Sequence, residues 1–251
     1  MEYASFLVGV GGAAVIAAGL KKDEITATWM GFVGAQFVWV GWFELTFALY
    51  AKLFNYPVYV AAPGLEAAPS ATVLMGTLPV MFTMLLLYGF FNKETKCNLM
   101  RWFHRNLRVS PGMPTAEAQR SFARITAMEY LFVVWTCYLF WLYVSYIGAN
   151  QTVMMVAYGI WATWFVYIFT KLMKFPRVGA TFRYAIAVGI VGWGLMEMPS
   201  YFGFYDEVWL KPFEYPLTTL IVVALQIGGI AYLANPPGRS PPNGDAAAVA
   251  A

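Results

Sequence analysis

"TWMGFVGAQFVWVGWFELTFALYA", Thr28 to Ala51, is apolar from end to end and carries one charge, Glu44. A helix that crosses a bilayer needs about 20 mostly apolar residues, and this stretch supplies them. Six further stretches qualify: Tyr3–Leu20, Ala71–Phe91, Ile125–Ala149, Thr152–Leu172, Tyr184–Phe204 and Leu217–Leu233. None alternates strictly between polar and apolar, so they read as helices and not as strands of a barrel. Composition agrees: 60% of residues are hydrophobic, 18% aromatic and only 12% charged, where a soluble domain carries about 25% charge. The expected fold is all-α, an integral membrane bundle of seven helices over residues 1–234. The Pro- and Gly-rich tail 235–251, "NPPGRSPPNGDAAAVAA", is expected to be disordered.

Charge orients the bundle. Of the 16 Lys and Arg residues, all but Lys52 and Lys211 fall in the connections after the first, third and fifth spans or in the tail. Positive charge favours the cytoplasmic side. The N-terminus is therefore expected outside and the C-terminus inside, in the cell inner membrane. The first span could be mistaken for a cleaved signal peptide, since "AAGLKK" offers small residues. A signal peptide carries its positive charge ahead of the apolar stretch, whereas here Glu2 precedes it and Lys21 and Lys22 follow.

The one long inner connection is the cytoplasmic loop 92–124, "NKETKCNLMRWFHRNLRVSPGMPTAEAQRSFAR". Pro111, Gly112 and Pro114 break it, and Thr115 offers a cap for a helix starting near Ala116. Trp102, Phe103 and the arginines suggest a short helix on the lipid headgroups. A basic inner loop is what a membrane protein shows, so no nucleic-acid partner is expected. Span one is rich in Gly and Ala, and span six holds Gly189, Gly192 and Gly194. Such residues let helices approach closely, within the chain or at a subunit interface.

Three carboxylates fall inside spans: Glu44, Glu129 and Glu197. An ionised group at the bilayer centre costs at least about 2.5–3.5 kcal/mol, so such acids invite a functional reading. Glu129 lies one turn inside the cytoplasmic end of span four and can reach water or Arg124. Glu44 and Glu197 share an outer layer, because both helices run from inside to outside. Beyond Glu197 the chain reads "MPSYFGFYDEVWLKPFEYP", with Pro199 expected to end or kink the span. The candidate outer cluster is Glu44, Glu197, Tyr201, Asp206, Glu207 and Glu214. Oxygen ligands of this kind suit a hard cation, and a proton step on one carboxylate is equally allowed. Aromatic residues at that depth, Trp39, Trp42, Tyr201, Tyr205, Trp209 and Tyr215, also read as an ordinary interfacial belt.

The absences are sharper. The single histidine, His104, sits in the inner loop and reads as solvated or headgroup-facing. No span holds a histidine, which excludes paired-His haem ligation, a His-rich di-iron site and a His-ligated copper centre in this chain. No span has a central lysine, so the retinal linkage of the seven-span rhodopsins is missing. Cys97 and Cys137 lie far apart, and neither a disulfide nor a thiol-redox motif is expected.

From "TAEAQRSF" onward the chain resembles the C-type membrane subunit of the copper membrane monooxygenases, the methane and ammonia monooxygenase family. A charged inner loop leads into the aromatic span "YLFVVWTCYLFWLYVSYIG". A return span ends in the basic-Pro turn "KLMKFPR", and a further span reaches the acidic loop "FYDEVWLKPFEYP". The likeness covers roughly Leu74–Leu233. It implies a membrane subunit of a larger assembly. It does not imply copper, because the family's Asp and two His at the outer start of the fifth span are absent from "GANQTVMMVAYGIWATW", and Glu214 stands where the family has a His after the proline.

The expected function is thus a non-catalytic or divergent subunit of a multi-subunit inner-membrane complex of the monooxygenase type. Its partners would be membrane lipids and other membrane subunits, whether different chains or further copies. The alternatives are a proton-coupled or small-solute transporter using Glu44 and Glu197, a rhodopsin-shaped sensor without retinal, and an outer-face enzyme acting on lipid or isoprenoid.

Overall fold

A computed structural model describes residues 2–62, 65–94, 98–113, 115–116, 120–147, 150–175, 178–201 and 211–224. The described chain is predominantly helical. The helices are α1 (Glu2–Gly19), α2 (Glu24–Val38), α3 (Leu45–Leu53), α4 (Pro69–Gly76), α5 (Leu78–Phe91), α6 (Asn98–Asn106), α7 (Phe122–Leu142), α8 (Gln151–Leu172) and α9 (Val178–Tyr201). Residues 216–224 form a further helical stretch. Two π-helical segments extend α-helices, Trp39–Glu44 between α2 and α3 and Tyr143–Ile147 after α7. The chain divides into two compact units, Met1–Met198 and Pro199–Ala251.

Four helices are long and apolar enough to cross a membrane: Glu24–Leu53, Phe122–Tyr146, Gln151–Leu172 and Val178–Ser200. The pair α4–α5, bent by 44°, makes a fifth if it crosses as one span. The first expected span is a helix, but its apolar part, Tyr3–Gly19, is short. The seventh begins within 216–224, and the rest of it, like the tail, lies outside the described residues.

Local chemistry sets the helix ends. Asp23 caps α2, its carboxylate accepting from the Thr26 amide at 3.1 Å, and Glu24 adds negative charge to the first turn. The Thr26 amide and hydroxyl bonds hold the Asp23 carboxyl below its ordinary range. The bend between α4 and α5 follows from Pro79, which has no N–H to bond the Met75 carbonyl four residues back. The Tyr143 hydroxyl donates to that carbonyl at 2.9 Å. Thr77, at the break, turns its hydroxyl onto Leu74 O at 2.6 Å and accepts from Trp135 Nε1 at 2.9 Å. The broken span is thereby stitched to α7.

Small residues zip α1, α2 and α7 together. A Cβ on Gly12 would stand 2.5 Å from Gly34 O, and one on Gly31 would meet the Ala123 carbonyl and lie 2.9 Å from Ala123 Cα. Both crossings therefore bring backbone against backbone. Of the two roles open to the small residues of α1, packing within the chain is the one these contacts occupy. The main core cluster joins Trp39, Phe47, Leu74, Met81, Val134, Trp135 and Leu139. On the inner side Arg183 of α9 bonds Glu24 at 2.8 Å and lies over the Phe122 ring, 4.6 Å from its centre.

Three local features differ from the sequence expectations. A small antiparallel hairpin, β1 (Tyr59–Ala62) and β2 (Leu65–Ala67), occupies the connection after α3. Helix α7 starts at Phe122 and not near Ala116, because the Thr115 amide is engaged elsewhere: it donates to Glu94 Oε1 at 2.6 Å. His104, half-buried, is not simply solvated. Its Nε2 lies 3.2 Å from Gly89 O and 3.1 Å from Phe90 O, so that nitrogen carries the proton and serves the open carbonyls at the end of α5.

Glu94, its side chain only 10% exposed, also pairs with Arg120 at 3.0 Å. Desolvation is the largest single influence on its carboxyl and acts upward, but the Thr115 hydrogen bonds and the charges of Arg120 and Lys93 outweigh it and hold the carboxyl low. A depressed folded value means that the contribution to loop stability is complete above the ordinary value of 4.5 and is lost as pH falls through the folded one. Hydrogen exchange should find the Thr115 amide protected near neutrality and released on acidification below 4.5. Glu94→Gln should abolish that acid transition; an unchanged transition would contradict this account.

Candidate functional site

Glu44 closes the first π segment. In an α-helix residues five apart lie about 140° apart around the axis. The wider π winding, with backbone bonds from i to i+5, brings them together. Trp39 Nε1 accordingly donates to Glu44 Oε1 at 2.8 Å. Trp39 is buried, stacked on Phe43 at 5.2 Å, and its ring lies 5.9 Å from that of Tyr138 on α7. Glu44 itself is exposed. It lies about 12 Å along the helix below Lys52, within the apolar stretch Glu24–Leu53.

Glu197 lies in the last turns of α9 and is half-buried. The Tyr138 side chain stands within electrostatic range of both Glu197 and Glu44, and Tyr130, one helical repeat below, within range of Glu44. The structure thus gathers Glu44 and Glu197 around one tyrosine. Their shared outer layer was legible from depth; Tyr138 between them was not singled out, although an outward-lying Tyr at matching depth on span four was a usable signal.

The other expected residues sit differently. Helix α9 runs through Pro199 to Tyr201 and does not stop at the proline. Tyr201 ends that helix. Asp206 and Glu207 lie outside the described residues. Glu214, 65% exposed, pairs with Lys211 at 3.6 Å, and an exposed pair of that kind contributes about 0–1 kcal/mol. Glu129 is exposed near the inner end of α7, and with Arg124 it lies within electrostatic range of Tyr88. Among the described residues no three His, Cys, Asp or Glu side chains converge in a way that could hold a metal ion.

What this arrangement can do is narrower than catalysis. Two carboxyl groups and a phenol can exchange hydrogen bonds, hold a cation or meet a donor on another helix. No protein-family model matches the chain, and neither a curated protein nor a solved structure matches it. The fold therefore defines the class by itself: several apolar helices of membrane-crossing length, the make-up of a helical membrane protein.

Proposed function

We propose that this chain is a non-catalytic subunit of a multi-subunit inner-membrane complex, of the membrane-bound monooxygenase type that its second half resembles. In this reading it spans seven times, with its N-terminus outside and its C-terminus in the cytoplasm. The observation that carries the reading is Glu44. This carboxyl group is exposed on an apolar helix, where lipid offers no hydrogen bond and an unmatched polar group costs several kcal/mol. Contact with another protein removes that cost. The spans leave ample surface for it: only 17% of the apolar window of α8 is buried within the chain.

Native mass spectrometry of protein gently solubilised from its own membrane, with metal analysis of what accompanies it, tests the proposal. The expected result is a defined hetero-assembly; a lone monomer opposes it. Glu44→Gln should weaken the assembly while leaving the fold intact, as judged by circular dichroism.

A second reading rests on the convergence of Glu44 and Glu197 on Tyr138. It makes the chain a proton-coupled or small-solute transporter. Loss of uptake in folded Glu44→Gln and Glu197→Gln variants would favour it, and unchanged uptake would oppose it.

A further inference from the structure

Helices α2 and α9 both lie against α7, and in their inner halves they touch each other. The Trp29 and Phe182 rings are 4.3 Å apart, Phe32 and Phe182 6.2 Å, and Arg183 bonds Glu24. Toward the outer side this closure ends. Tyr138, on the central helix, is 43% exposed, with Glu44 on one flank and Glu197 on the other. Val40 and Phe37 on the α2 side and Met196 on the α9 side are exposed as well. The result is a furrow along the outer half of α7, apolar along its length, with a carboxyl group on each flank.

We propose that this furrow receives a transmembrane helix of a different chain, which presents a Lys or Arg side chain to Glu44. The proposal rests on the subunit reading above and names the partner's chemistry. Charge complementarity commits the occupant. A carboxylate has about four acceptor sites, and among the described residues Glu44 takes one hydrogen bond, from Trp39. A basic donor in lipid would satisfy the remainder, and such a pair lowers the cost of burying both charges. A second copy fits poorly: a two-fold axis on this face sets Glu44 against Glu44, and Lys52 lies about 12 Å higher along the helix.

The test is photo-cross-linking in the native membrane, with p-benzoylphenylalanine placed in turn at Val40, Phe37 and Met196, and at Ile160 on α8 as a distant reference that is 66% exposed. The expected result is that furrow positions capture one transmembrane peptide of another chain, with Lys or Arg inside its apolar stretch. Capture should fall about tenfold or more in Glu44→Leu. It should return when Glu44→Lys is combined with an acidic residue at the partner's basic position. Cross-links only to lipid, to a second copy, to this chain's own residues or to a peptide without a basic residue would overturn the assignment. If Ile160 captures another subunit while the furrow captures none, the assignment falls and the subunit reading stands. If no position captures another chain and the solubilised protein is monomeric, both fall.

Discussion

Gly31→Leu should destabilise the bundle by about 3 kcal/mol, at the upper end of what overpacking costs. The reason is the kind of atom in the way. A side chain at Gly31 grows into the Ala123 carbonyl and Cα, and Ala123 is fully buried. Backbone inside a helix cannot turn aside as the end of a flexible side chain can, so α2 and α7 must separate. That separation also loosens the inner clasp, because Glu24 begins α2, Phe122 begins α7 and Arg183 touches both. Gly11→Leu is the matched control. Nothing lies within 4 Å of a Cβ there, and its effect should stay within about 0.5 kcal/mol. Unfolding in mixed detergent micelles with rising SDS, followed by tryptophan fluorescence, measures both. Equal losses in the two variants would sink the close-packed seam.

How much of this was readable beforehand depends on the range of the interaction. The long helices follow from uninterrupted apolarity. Thr28–Ala51 expands to Glu24–Leu53, and Thr152–Leu172 to Gln151–Leu172. The added turns come from polar caps such as Asp23 and Asn150, which hydropathy does not weigh. The hairpin was legible in a different way. "YVAAPGLEA" has strand formers on either side of a Pro-Gly pair, but in an apolar chain it passes for the tail of a span. The π segments were not legible. "WVGWFE" has the composition of any membrane helix, and i-to-i+5 winding has no propensity signature. Without it, Trp39 and Glu44 fall on different faces, so their hydrogen bond could not be foreseen. The late start of α7 is tertiary, since it turns on Glu94 reaching Thr115 across the loop. The acids divide along the same line. Depth along two helices placed Glu44 and Glu197 in one layer, while the tyrosine they share and the open furrow depend on how three helices lean together.

The second large effect concerns the proline that breaks the third span. Tyr143→Phe removes one oxygen and should cost about 1–3 kcal/mol, because Met75 O loses its donor inside the bundle. Taken alone, such a loss could reflect any nearby packing change. The partner substitution removes that ambiguity. Pro79→Ala restores a backbone N–H at the position from which a continuous helix would bond Met75 O. With that donor back, the carbonyl no longer depends on Tyr143, so Tyr143→Phe should then cost little. The double variant should be more stable than the sum of the two single changes predicts, by about 1 kcal/mol or more. The same SDS titration reads all four corners of the cycle. Strict additivity would mean that the tyrosine hydroxyl does not replace the missing amide, and the bend would then need another cause. Trp135→Phe provides a second arm, since it removes the donor to Thr77 Oγ1 but leaves Met75 O satisfied. Its cost should therefore not depend on what stands at position 79. Coupling to Pro79 through Tyr143 and not through Trp135 would mark the Met75 carbonyl as the group that holds the bent span against α7.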